Sequence, residues 1–148
     1  MPVYTASISS TWSVDEAFTY MGDFANAQRW DPSVTSAHRI DDGPLATNSA
    51  FELTVRFAGR DKTLRYAVTS IDPPRTVVFM SLTGSLLSAD TLTFVPRANG
   101  CEMTYRAELR FTGIAAVANP LLGLLFRRLG DRARDSLREI LGSPLASA

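Results

Sequence analysis

Cysteine and histidine are nearly absent from the sequence, which contains one of each in 148 residues. Cys101 alone cannot form an internal disulfide, and a lone thiol fits a reducing compartment. A structural zinc site needs four ligands, mostly Cys and His, so Cys101 and His38 are too few to build one. We therefore predict no metal site.

An excess of charge of either sign is also lacking. Lys and Arg total 15, and Asp and Glu total 15, so the formal net charge is zero. A nucleic-acid-binding domain usually concentrates a basic excess on one face, so we predict no nucleic-acid partner. Neither Gly-x-Gly-x-x-Gly nor a phosphate loop occurs, and Gly-x-Ser-x-Gly is missing too. These absences give no support to a cofactor or to a serine nucleophile elbow.

No hydrophobic run is long enough to cross a membrane. The most apolar window, 114–126, has 13 residues and is followed at once by Arg127 and Arg128. A transmembrane helix needs about 20 apolar residues. The N-terminus also lacks the basic region and apolar run of a signal peptide. We predict a cytoplasmic protein without an integral membrane segment.

The final stretch, 114–141, is the most strongly patterned part of the chain and is predicted to form a long helix. From Pro120 onward its apolar residues recur at helical spacing: Leu122, Leu125, Phe126, Leu129, Ala133, Leu137 and Ile140. Charged residues occupy the other side, as in a helix packed on a single apolar partner. The chain length and 45% hydrophobic content predict one domain, 1–148, with one core.

Upstream of this helix, apolar and polar residues alternate, which is typical of strands with one buried face. Strands are predicted at 3–10, 34–40, 51–57, 63 to the turn at 72, 76–82, 91–94 and 101–111, with a turn at 96–100. Two short helices follow the first strand, one starting at a capping box of Ser13 and Glu16 and one ending at Trp30. Asp23 or Asn26 can cap the second. The order predicts an α+β protein with an antiparallel meander and the first strand added at an edge.

Three short segments carry a family resemblance. Asp23-Phe24 precedes Trp30-Asp31-Pro32, the stretch Val68 to Arg75 ends in Asp-Pro-Pro-Arg, and Asp42-Gly43-Pro44 precedes Phe51. These segments resemble the START-like superfamily (SRPBCC), of the polyketide cyclase/dehydrase and lipid-transport type, and the resemblance covers nearly the whole chain. It implies a helix-grip fold, in which a curved seven-stranded antiparallel sheet wraps a long C-terminal helix.

One position departs from that pattern. Pro120 lies where the final helix of the family usually begins. We expect either a kink there or a new helix start with Asn119 as its cap and Pro120 at the first helical position.

The resemblance also implies a cavity between the sheet and the helix for an apolar or amphipathic ligand. Alternation and helical spacing give its candidate lining, with Trp30 near the mouth: Trp30, Phe51, Leu53, Val55, Phe57, Tyr66, Val68, Asp90, Leu92, Phe94, Met103, Tyr105, Leu109, Leu122, Leu125, Phe126 and Leu129. Large apolar side chains with a few polar tips suit such a pocket. The same alternation is also typical of side chains that close on each other as a solid core.

Four polar residues are candidates for chemistry in that cavity. Tyr66 and Tyr105 can point hydroxyls inward, or their rings can pack while the hydroxyls reach the rim. Asp90 shares the inward parity of its strand and would be an acid or base if buried, but it is a solvated turn residue if it starts the strand. His38 is a general base if it faces the cavity and an ordinary strand histidine if it does not.

Three functions compete. The first is a non-catalytic carrier or sensor of a hydrophobic small molecule such as a lipid, polyketide or aromatic. The second is an enzyme resembling polyketide cyclases and aromatases, which requires the polar candidates to converge. The third is a protein-interaction module, which a filled core would favour. Leu121 and Leu124 lie off the apolar stripe and would suit a dimer contact, so monomer and homodimer both stay open.

Overall fold

The structure is a computed structural model that describes residues 3–57, 59–83, 86–111 and 120–144. The stretch 114–119, predicted to begin the final helix, lies outside these residues, as do the side chains at 111 and 120–122. The elements in chain order are β1 (Val3–Ser10), α1 (Val14–Gly22), a 3₁₀ turn (Phe24–Asn26), α2 (Ala27–Trp30), β2 (Val34–Arg39), β3 (Ala50–Phe57), β4 (Arg60–Asp72), β5 (Thr76–Thr83), β6 (Leu86–Arg97), β7 (Gly100–Phe111) and α3 (Pro120–Leu141).

Seven strands form a single antiparallel sheet in the order β1-β7-β6-β5-β4-β3-β2. Strands β2 to β7 are a meander, and β1 pairs with β7 from Val3 opposite Glu108 to Ser10 opposite Cys101. The predicted α+β class and helix-grip arrangement are confirmed, with the first strand at an edge. None of the described helices combines the length and the apolar character that crossing a bilayer requires.

Helix α1 and the 3₁₀ turn begin where side chains satisfy free backbone N–H groups of the first turn. The Ser13 hydroxyl accepts a hydrogen bond from Glu16 N at 3.1 Å, and the Glu16 carboxylate accepts one from Ser13 N at 2.9 Å. Asp23 caps the following 3₁₀ turn by accepting from Ala25 N. Asn26 does not cap a helix, because its side-chain amide donates to the Tyr20 carbonyl.

Strand β6 is much longer than predicted. It pairs with β7 from Leu86 through Arg97, and Pro96 lies opposite Cys101 inside the ladder. The turn predicted at 96–100 is therefore too long at both ends, because only residues 98–99 lie between the two strands. The early part of β6 is hard to recognise because Ser88 and Asp90, both buried, interrupt the apolar alternation on its inner face.

Helix α3 packs tightly on β1 only along its C-terminal half. Ala133, Leu137 and Leu141 are fully buried, whereas Phe126 and Leu129 near the other end are half-buried. Polar contacts reinforce the tight half. The Ser10 hydroxyl donates to the Leu141 carbonyl at 2.7 Å, and Trp12 Nε1 donates to the Ser143 carbonyl at 2.7 Å.

The contact between Tyr4 and Gly130 sets how closely the helix approaches the sheet. The Tyr4 hydroxyl donates to Asp131 Oδ1 at 2.8 Å, while its ring lies against Gly130. A Cβ at position 130 would come within 2.5 Å of ring atoms of Tyr4. Burial and the bond to Asp131 raise the pKa of Tyr4 to about 12, so the hydroxyl remains a donor at neutral pH.

We expect Gly130→Ala to lower the free energy of unfolding by about 1–3 kcal/mol, because the added methyl group must displace the Tyr4 ring or the helix. Gly123→Ala is the matched control in the same helix, since a Cβ there meets nothing within 4 Å. Alanine is a better helix former than glycine, so the free energy of unfolding of this control should rise by up to about 1 kcal/mol. Urea unfolding measures both, and a Gly130→Ala protein as stable as wild type would contradict the contact.

Candidate functional site: an internal cavity between sheet and helix

A cavity of about 330 Å³ lies between the inner face of the sheet and the less buried half of α3. Its lining comes from the 3₁₀ turn, α2, strands β2, β3, β4, β6 and β7, and α3: Phe24, Ala27, Trp30, Asp31, Ser33, Val34, Leu53, Val55, Phe57, Arg60, Lys62, Leu64, Tyr66, Leu86, Ser88, Asp90, Tyr105, Ala107, Leu109, Phe126, Leu129 and Gly130. The volume is near the lower end of the range of about 300–1,000 Å³ that small-molecule sites occupy.

Many of the side chains predicted from alternation do line this space: Trp30, Leu53, Val55, Phe57, Tyr66, Asp90, Tyr105, Leu109, Phe126 and Leu129. Their parity is correct because the sheet keeps a two-residue repeat through β3, β4 and β7. Their role in holding a ligand stays a prediction.

Five other predicted lining residues belong instead to the closed core at the far end of the sheet: Phe51, Val68, Leu92, Phe94 and Met103. The aromatic ring of Phe24 closes that end. It stacks on Phe79 with centroids 4.1 Å apart and meets Phe51 edge-on at 6.2 Å. Alternation places a residue on the inner face but does not say whether a helix fills the space above it.

The two remaining predicted lining residues are on α3. Leu125 is half-buried and is not part of the lining, and the side chain of Leu122 lies outside the described residues. Leu124 is half exposed, as its place off the apolar stripe suggested.

Polar side chains meet inside the cavity on strands β4, β6 and β7. The Tyr66 hydroxyl and Ser88 Oγ share a hydrogen bond of 2.8 Å in the interior. Asp90, two residues along β6 from Ser88, is only 7% exposed and lies opposite Ala107 of β7. Among the described residues, neither the Asp90 carboxyl nor the Tyr105 hydroxyl has a hydrogen-bond partner, so both remain available to a molecule in the cavity.

Burial sets the protonation of these groups. Desolvation, followed by the nearby charge of Asp31, raises the pKa of Asp90 to about 8, so its carboxyl is mostly neutral at pH 7. Burial also raises the pKa of Asp31, although hydrogen bonds from the Ser33 hydroxyl at 2.7 Å and Ser33 N at 2.9 Å oppose the shift. The pKa values of Tyr66 and Tyr105 are raised for the same reason, so both hydroxyls stay protonated.

Trp30, predicted near the mouth of the cavity, is only 1% exposed and therefore belongs to the buried part of the lining. Trp30 Nε1 is fully buried and has no hydrogen-bond partner among the described residues, which is rare for an indole N–H. Arg60 and Lys62, at the start of β4, are exposed and line the side of the cavity that meets solvent.

His38 does not face the cavity. Its ring is exposed on the outer side of β2, with Nε2 3.7 Å from Glu52 Oε1. Of the two alternatives left open for His38, the structure agrees with the ordinary strand histidine and not with a general base in the cavity. In the described part of the chain, no three His, Cys, Asp or Glu side chains are arranged to hold a metal ion.

Sequence patterns missed Asp31, Ser33 and Ser88 as cavity residues. Asp31 precedes Pro32 and was interpreted only as the end of a helical turn. The turn in fact carries its carboxylate into the lining, where Ser33 holds it. The signal available in the sequence was Asp31-Pro32-Ser33, an Asp that bonds the backbone two residues later.

Comparisons with known proteins identify families and structures that share this fold. A helix-grip sheet that encloses a cavity defines a class of ligand-binding α+β domains. The sequence matches, over residues 1–142, the family described as polyketide cyclase/dehydrase and lipid transport. The chain belongs to this family. Among curated proteins, no sequence matches it.

Solved structures share the fold at low sequence identity. A START superfamily protein from Mycobacterium smegmatis is 15% identical with a TM-score of 0.71, and 94% of each chain is covered. The ZhuI aromatase/cyclase from a Streptomyces species is 12% identical with a TM-score of 0.68, covering 93% of this chain and 91% of its own. A protein from Thermus thermophilus is 13% identical with a TM-score of 0.73, covering 93% and 94%. At these identities the likeness establishes the fold alone.

The raised pKa of Asp90 predicts how stability changes with pH. An acid with a higher pKa in the folded protein binds its proton more tightly when folded, so it destabilises the fold increasingly as pH rises from about 4 to about 8. Asp90→Asn should abolish this component. Relative to wild type, the free energy of unfolding of the variant should increase by up to about 1.4 kcal/mol per pH unit across that window.

Urea unfolding at several pH values between about 4 and 8 measures this change in the free energy of unfolding. Asp42→Asn, the same chemical change at an exposed turn residue, is the control and should follow the wild-type profile. Parallel profiles for wild type and Asp90→Asn would show that Asp90 is ionised at neutral pH.

Proposed function

We propose that the protein binds a compact amphipathic small molecule in the cavity between sheet and helix. The observation that carries this proposal is a space of about 330 Å³ with largely apolar walls and two buried polar residues, Asp90 and Tyr105, whose side chains form no hydrogen bond with the described residues. Apolar walls remove a ligand's surface from water, and a few polar groups fix its orientation. Membership of a family that includes lipid-transport proteins supports the same function.

The dimensions favour a small ligand. The cavity ends at the Phe24 and Phe79 stack, so the sheet beyond it offers no further room. A molecule with one or two rings, or a short chain, matches a volume at the low end of ligand sites. A longer chain would have to extend past Arg60 and Lys62 into solvent.

Filling the cavity should abolish binding. Ala107 lines it on β7 and is 5% exposed, so Ala107→Phe places a ring in the ligand's space. Ala89→Phe is the matched control, because Ala89 lies outside the lining and precedes Asp90 on the opposite parity of β6. Titration with the neutral probe N-phenyl-1-naphthylamine should give affinity at least about tenfold weaker for Ala107→Phe and unchanged for Ala89→Phe.

Equal affinity for wild type and Ala107→Phe would place the probe elsewhere and reject the proposal. Circular dichroism checks that both variants fold. Native mass spectrometry of the protein purified from its own host identifies any molecule that is retained, and a retained molecule should be absent from Ala107→Phe.

A second candidate is a cyclase-type enzyme acting in the same cavity. The observation in its favour is that Tyr66, Tyr105 and Asp90, three of the four polar residues predicted for such chemistry, line one space. A neutral Asp90 can donate a proton to a ligand in this space. Release of a chemically altered ligand would favour this candidate. Release of the same ligand unaltered would favour binding alone.

The third function considered from sequence was a protein-interaction module. That reading depended on a filled core, and the open volume above β3 and β7 gives it no support.

A further inference from the structure

Two acidic side chains, Asp31 and Asp90, line the cavity. Asp90 has no basic partner among the described residues. Asp31 comes from the turn after α2 and Asp90 from the middle of β6. The charge of Asp31 raises the pKa of Asp90. Among the described residues, no Lys or Arg is close enough to lower the pKa of Asp90. Arg60 and Lys62 line the solvent side, and Arg132 acts on Asp31 alone. Burying an unpaired carboxyl is costly, and such groups usually serve a ligand.

Aromatic rings surround the same space. Trp30, Tyr66, Tyr105 and Phe24 all line the cavity, and Trp30 meets Tyr105 edge-to-face with centroids 5.6 Å apart. The faces of such rings attract cations, most strongly those of Trp and Tyr. A cavity that combines a carboxyl group with aromatic walls is therefore suited to an ammonium group and unsuited to an anion.

From this arrangement we infer that the ligand is a protonated amine on a compact apolar body, with its ammonium group bound to the Asp90 carboxylate. The inference rests on the proposed binding function and names its ligand class. The apolar body lies against Leu53, Leu109, Phe126 and Leu129, and the Tyr105 hydroxyl supplies an acceptor to a second N–H of the ammonium group. A neutral alcohol of the same shape can form only ordinary hydrogen bonds with these groups.

Burial favours the neutral form of Asp90 at pH 7, so binding of an ammonium ion to its carboxylate releases a proton. The groups that face Asp90 are Asp31 from the turn after α2, Tyr66 from β4, Tyr105 from β7 and Ser88 from its own strand. Phe79 lies opposite it on β5, and the lining of α3 is Phe126, Leu129 and Gly130, so these elements present no further titratable group. Amine affinity should therefore rise with pH below about 8, the pKa of Asp90, by up to about tenfold per unit.

Three naphthalene probes of equal size separate the alternatives by isothermal titration calorimetry on the full-length protein. They are 1-naphthylmethylamine, its neutral counterpart 1-naphthylmethanol and the anion 1-naphthoate. We expect the amine to bind about 10- to 100-fold more tightly than the alcohol at pH 7.5, as a charge-assisted hydrogen bond implies, and naphthoate to bind most weakly. Heats measured in buffers of different ionisation enthalpy should show proton release for the amine and none for the alcohol.

The variants locate the effect. Asp90→Asn should remove the preference for the amine over the alcohol, together with the proton release. Asp42→Asn removes one exposed acid and should change neither. Equal affinity for amine and alcohol, or an amine preference that survives in Asp90→Asn, would overturn the inference while leaving the proposed binding function intact. Failure of all three probes to bind would count against both.

Discussion

The structure depends on how one end of helix α3 is held against strand β1. Gly130 lets the helix backbone rest on the Tyr4 ring, and the Tyr4 hydroxyl and Asp131 lock the contact. From this point toward the C-terminus, Ala133, Leu137 and Leu141 close the interface completely. Toward the other end the helix meets the sheet less closely, and the cavity occupies the difference.

Two features define the interior of that cavity, an aromatic stack at one end and polar side chains on the inner face of the sheet. Phe24 and its stacking partner Phe79 fill one end. Asp90 and Tyr105 stand at the inner face without described partners, although a closed apolar core would have been more stable with leucine at such positions. The loss of stability is explained if these groups serve a bound molecule. The raised pKa of Asp90 follows from its burial and from the nearby charge of Asp31.

Much of the fold was accessible from sequence, for identifiable reasons. The capping box at Ser13, the alternation in β3 and β7 and the helical stripe of α3 are local patterns whose physical cause lies within the segment itself. The first half of β6 was missed because Ser88 and Asp90 break the alternation, and those two residues belong to the site. Polar residues on an inner face conceal a strand and at the same time indicate its function.

The extent of the cavity was not accessible in this way. Alternation placed Phe51, Leu92 and Met103 on the same face as Leu53 and Tyr105, yet Phe24 and helix α1 cover only the first group. Which part of a face is covered depends on contacts between segments far apart in the chain, such as Tyr4 with Gly130. The parity of His38 was left open for a related reason, since a register shift between Val34 and Ser36 changes which face the rest of this edge strand presents.

The central claim is that this internal space, and not the outer surface, receives a ligand. The most direct measurement is a set of NMR contacts between a bound naphthyl probe and methyl groups of the protein. The account predicts intermolecular NOEs to Leu53, Val55, Ala107 and Leu109, which line the cavity, and none to Val68 or Leu92 beyond Phe24. NOEs confined to exposed side chains such as Leu82 and Leu124 would contradict it.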